Sequence, residues 1–184
     1  GQPGNVLFNL ARLDECLEAH RGLADYARAS GSLRHQALAE GGLGDAYYLR
    51  GQMISAHGHF RRCVELTTQS GLTGMLPPNL AMQAWTACFC NRVPEGIADA
   101  EQALEAARPQ GDPRAEALVY AALLPILLFN GQRQRVRDLA EHALRLARRI
   151  GWPRIVLVSA SVLFIVELEK APGRHRHRKP QPAE

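Results

Sequence analysis

The sequence predicts an all-α fold: a right-handed superhelix of about four and a half antiparallel helix pairs stacked with a 40-residue period. Three observations carry this expectation. Glycines stand at Gly31, Gly71, Gly111 and Gly151, forty residues apart, and a second series runs Gly51, Asn91, Gly131 at the same interval, with Ala11 in the earlier slot. Between successive members of the two series, segments of roughly 17–19 residues repeat their apolar positions near every 3.6. Composition agrees: Ala, Leu and Arg dominate a chain of 184 residues that is 46% apolar and 6% aromatic, and these residues lose little freedom on entering a helix.

Taken in order, the pattern predicts a helical stub at 3–10, then helices over about 13–30, 33–50, 52–70, 77–91, 94–109, 113–130, 132–150 and 153–169. The seven helices between 13 and 150 close on Gly or Asn, residues that tolerate the left-handed conformation at a helix C-cap. Pro113 and Pro153 follow their glycines by two residues, where a new helix should begin. The repeats run about 1–31, 32–71, 72–111, 112–151 and 152–170, giving one solenoid domain over 1–170 and a disordered basic tail over 171–184. Pro125, inside "ALLPILLFNG", removes a backbone donor and predicts a kink. The run Ile155–Leu168 is almost wholly apolar but has 14 residues, too few to span a bilayer. No partner helix follows it, so self-association through 153–169 is expected, or a covering segment lost by truncation.

The stretch "GGLGDAYYLRGQMISAHGHFRRCVEL" (41–66) places Gly44, Gly51, Ala56, Phe60 and Cys63 at characteristic spacings. It resembles a tetratricopeptide repeat (TPR). That family sets small residues where the two helices of a hairpin approach and an aromatic to fill the gap to the next hairpin, the place assigned to Phe60. The slots recur as Ala84, Gly96, Ala100 and Ala103, then as Leu124, Val136, Ala140 and Ala143. More narrowly, "ALAEGGLGDAYYLRG" (37–51) is similar to the repeats that follow the ATPase in bacterial adenylate/guanylate cyclases and related signalling ATPases. Where those proteins carry a charged stretch, this chain has "GMLPPNLAMQ" (74–83), and the final third diverges further.

The TPR resemblance implies a concave groove lined by Asp45, Tyr48 and Leu49, then Trp85, Cys88 and Phe89, then Pro125, Leu128 and Phe129, with Phe8 and Asn9 in the stub. That lining is apolar and aromatic, and it lacks the Lys/Asn/Arg set with which some relatives clamp a peptide carboxylate. An apolar groove attracts an apolar peptide or helix.

Other chemistry finds little footing. "GGLGD" lacks the Lys-Ser/Thr and the preceding strand of a phosphate loop. His57 and His59, like Cys88 and Cys90, are two apart and point to different helix faces, whereas metal pairs on helices sit four apart. The four cysteines have no CxxC spacing, which favours a reduced, cytoplasmic setting. Net charge is +4, but the tail from Gly173 supplies about +3 of it, so the body is nearly neutral and carries no dedicated nucleic-acid surface. His175 and His177 in the tail could hold a metal adventitiously. The acids Glu15, Glu18, Glu101, Glu105, Asp138 and Glu141 are dispersed over what should be solvated faces. The expectation is a non-catalytic protein-interaction or regulatory scaffold with no cofactor, no metal, no membrane contact and a protein or peptide partner. The alternative is a sensor that takes a small apolar molecule near Trp85, Phe89, Leu128 and Phe129.

Overall fold

The computed structural model describes residues 12–168. Eight α-helices follow one another: α1 (Leu13–Ala29), α2 (Leu33–Leu49), α3 (Met53–Ser70), α4 (Leu76–Phe89), α5 (Val93–Ala107), α6 (Pro113–Phe129), α7 (Arg133–Arg149) and α8 (Pro153–Leu168). No strand occurs among the described residues. Helix ends fall within two residues of their expected places. Two short 3₁₀ turns had no signal in the sequence: Thr73–Met75 leads into α4 and Arg108–Gln110 finishes α5. The expected stub at 3–10, with Phe8 and Asn9, and the tail at 171–184, with His175 and His177, lie outside the described residues.

The forty-residue spacing is a spacing of chain reversals. The six glycines of the two series, Gly31, Gly51, Gly71, Gly111, Gly131 and Gly151, have φ between 64° and 74°, and Asn91 joins them at 60°. One residue beyond six of these seven positions, the amide reaches back five residues: Ser32 to Ala27, Gln52 to Tyr47, Leu72 to Thr67, Arg92 to Ala87, Gln132 to Leu127 and Trp152 to Ala147, at 2.9–3.1 Å. This bond satisfies a carbonyl that the helix end would leave bare. At the next helix start, Ser32 Oγ accepts from the His35 amide at 3.4 Å and Asp112 Oδ1 from the Arg114 amide at 2.9 Å.

Each helix packs on its successor; in addition α4 packs on α6 and α6 on α8. Substantial packing stops there, as stacked repeats require. The close approaches are made where side chains are smallest. A Cβ on Gly44 would stand 2.7 Å from the Phe60 ring, one on Gly96 2.7 Å from the Ala84 carbonyl, and one on Gly42 would run into the His20 ring. The glycines of "GGLGD" are therefore packing residues inside α2. The Phe60 ring, assigned from sequence to the gap before the next hairpin, lies against Gly44 of its own hairpin, because the missing side chain leaves a hollow there. The equivalent slots Ala100, Ala140, Ala103, Ala143 and Cys63 are all fully buried. α6 continues through Pro125 to Phe129; the interruption comes one turn before its end.

α8 departs from the pattern. Leu157 is 68% and Phe164 64% exposed, whereas their counterparts forty residues earlier, Ala117 and Leu124, are 0% exposed beneath α7.

Candidate binding face

α2, α4 and α6 are the first helices of successive hairpins, and the nine positions expected to line the groove recur along them. Leu49, Phe89 and Phe129 are the last residues of their helices. At 43%, 56% and 84% exposed they present apolar side chains at equivalent positions of the three hairpins. One turn earlier, Trp85 is half-buried and meets Phe89 edge to face at 5.3 Å. The Trp85 Nε1–H donates to the Tyr48 hydroxyl at 3.1 Å, which joins α4 to α2 across this face.

Between α4 and α6 the face holds a depression of about 240 Å³, lined mostly by apolar atoms of Trp85, Cys88, Phe89, Val93, Ile126, Phe129 and Asn130. The structure thus brings together Trp85, Cys88, Phe89 and Phe129 of the expected set. Leu128 does not line the depression; it packs partly buried against the main core. Val93, Ile126 and Asn130 were not anticipated. Val93 opens α5 just past the turn, and Asn130 caps α6, so neither belongs to a groove slot.

Asp45 stands apart from its neighbours. Alone among the nine positions it carries charge. It is half-buried, and it makes no hydrogen bond or ion pair among the described residues. Burial alone pushes its carboxyl up from 3.8 to about 7. Its titratable neighbours are Cys16 from α1 and Cys63 from α3, both thiols raised first by their own burial, Cys63 to about 11. Both stay neutral at pH 7 and pack as small hydrophobes.

A second polar group lies between α3, α4 and α5. Gln83 Nε2 donates to Asp99 Oδ2 at 2.8 Å, and His57 Nδ1 lies 3.3 Å from the Gln83 carbonyl and 3.4 Å from the Thr86 hydroxyl. Desolvation raises the Asp99 carboxyl, while the Gln83 bond and His57 oppose the rise. His59 faces the other way, on Glu40 at 2.7 Å and stacked on Tyr47. Both seams join helices to one another. Among the described residues no three His, Cys, Asp or Glu side chains are placed to hold a metal ion, and no described helix is long and apolar enough to cross a membrane.

No protein-family profile and no curated protein matches the chain. Solved structures do. The chain is similar to the nearly identical TPR-like repeats of a Podosopora anserina kinesin light chain, with a TM-score of 0.65 and 12% identity over 92% of this chain and 94% of that one. A single-substitution form of those same repeats gives 0.66 and 14% over 91% of each chain. The apo form of RapI gives 0.58 and 11% over 92% of this chain and 67% of that one. At such identities the likeness speaks to architecture, and the fold of this chain is that of TPR-like helical repeats.

Proposed function

We propose that this chain is a non-catalytic interaction scaffold whose face on α2, α4 and α6 receives an apolar segment of a protein partner. The observation that supports this reading is the exposure of Leu49, Phe89 and Phe129 at equivalent positions, the last two lining the apolar depression. Exposed apolar side chains contiguous over a surface mark interaction sites, and stacked repeats hold such a face rigid. The volume favours a side chain over a metabolite: about 240 Å³ is below the roughly 300–1,000 Å³ usual for small-molecule pockets. The small-molecule reading keeps one supporting feature, the Trp85–Phe89 corner at the mouth of the depression. In the wider setting, the stretch 37–51 supports a place in a cytoplasmic bacterial signalling ATPase or cyclase, where the array would regulate the catalytic domain.

Peptide display against the whole chain tests the central reading. Selected peptides should share large apolar side chains, and Phe129→Ser should abolish their capture without unfolding the protein. Selection of peptides indifferent to Phe89 and Phe129 would place binding elsewhere. A second reading rests on α8. Its Leu157 and Phe164 are exposed apolar side chains on one helix, which supports self-association through this face. Sedimentation of the wild type against Leu157→Ser/Phe164→Ser checks it: the dimer should dissociate, and an unchanged mass rejects the idea.

A further inference from the structure

The bound segment can be described more closely than as apolar, on the footing of the protein-binding face just proposed. We propose that it carries a lysine or arginine a few residues from its large apolar side chain, so that the apolar group fills the depression between α4 and α6 while the cation meets Asp45.

The inference stands on charge complementarity and geometry. Among the nine face positions only Asp45 is charged, and no described residue pairs with it. An ionised carboxylate that has lost much of its water without gaining a counter-charge is costly. No described residue relieves that cost. Cys16 of α1 and Cys63 of α3, which flank it, are neutral thiols, and Glu40, which also acts on Cys63, is a further acid. A cation brought by a partner would neutralise Asp45 where the dielectric is low and the attraction strong. An acidic segment would be repelled.

The route from carboxylate to depression is continuous. Tyr48 lies three residues on from Asp45, so both share one face of α2. Tyr48 takes the Trp85 hydrogen bond, and Trp85 is itself a wall of the depression. With packed helices about 8–10 Å apart, this path is ~10–15 Å, which an extended chain crosses in roughly three to five residues. The aromatic pair between the two ends offers an arginine or lysine stem a flat surface to lie on.

The test uses the full chain with Trp152→Phe, leaving Trp85 as the reporter. Three tryptophan-free twelve-residue peptides share a Phe-Leu pair and differ four residues later in lysine, norleucine or glutamate. At about pH 8.5, with Asp45 ionised, the lysine peptide should bind about tenfold more tightly than the norleucine peptide, and the glutamate peptide more weakly than either. Asp45→Asn, or a shift to about pH 5.5, should erase the preference for lysine over norleucine. Equal affinities for all three, still lost on Phe129→Ser, would overturn the cationic requirement and leave the apolar face standing. Tighter binding of the glutamate peptide would also overturn it. If none of the three perturbs Trp85, the face itself is misassigned and the requirement falls with it.

Discussion

The hairpins α2–α3 and α6–α7 solve one packing problem in opposite ways. In the first, the slot on the leading helix is Gly44 and the slot on the returning helix is Phe60, whose ring fills the hollow over the glycine. Eighty residues later the sizes are exchanged: Leu124 on α6 and Ala140 on α7, both fully buried. The hairpin between them, α4–α5, has Ala84 and Ala100 in these slots and gains its close approach at Gly96 against the Ala84 carbonyl. What recurs every forty residues is thus the space between two helices, and the residue types filling it are free to trade volume. Interiors are dense enough that a trade on one helix requires its complement on the other.

The largest effect should come from breaking the trade on one side. Gly44→Leu puts side-chain atoms where the Phe60 ring lies and should cost about 3 kcal/mol or more of unfolding free energy in urea, since overpacking a filled core forces backbone shifts. Leu124→Gly in the other hairpin should cost a comparable amount for the opposite reason, an emptied cavity.

A smaller effect distinguishes the hairpins by pH. Asp45 has Pro125 as its counterpart on α6, so the titration belongs to the first hairpin alone. Its folded-state value of about 7 lies above its ordinary 3.8. Between those values the folded chain keeps a proton that the unfolded chain has released. Stability from this group is therefore complete below about pH 4 and declines as pH rises to about 7. Asp45→Asn should remove that decline and stabilise the chain above pH 7 by roughly 1–3 kcal/mol, less than the full shift implies because the side chain keeps some contact with water. Thermal melts from pH 4 to 8.5 check this; parallel curves for variant and wild type would contradict it.

The helix starts offer a finer contrast. Ser32 and Asp112 cap α2 and α6 from equivalent positions, but the Asp112 bond is 2.9 Å and the Ser32 bond 3.4 Å. Asp112→Ala should lower stability by about 1 kcal/mol and Ser32→Ala by less. Smallest of all, Phe129→Ser should change stability by no more than about 0.5 kcal/mol, because the ring is 84% exposed. The same substitution should remove peptide binding, which separates a surface kept for a partner from one kept for the fold.

Most of the architecture was legible because it is written in backbone chemistry. A glycine or asparagine every twenty residues marks a reversal whatever surrounds it, and each does adopt positive φ. Register also placed Trp85, Phe89 and Phe129 on one face, and all three line the depression. What register misses is contact between different elements. Val93 and Asn130 reach the depression from a helix start and a cap. Leu128, one of the expected lining positions, packs partly buried against the core. Asp45 lies beside Cys16 and Cys63, 29 and 18 residues away in sequence on two other helices. At the 3₁₀ turn Thr73–Met75, Leu72 stands in the slot where Ser32 and Asp112 cap, without a capping oxygen, and α4 begins only after that turn.

A double-mutant cycle at Gly44 and Phe60 bears most directly on the claim that matched volumes make these hairpins stack. Gly44→Leu/Phe60→Ala rebuilds in α2–α3 the leucine–alanine arrangement of α6–α7, and in urea unfolding it should lose at least about 2 kcal/mol less than its two single substitutions summed. If the two losses instead add to within about 0.5 kcal/mol, the slots do not share one space and the claim is wrong.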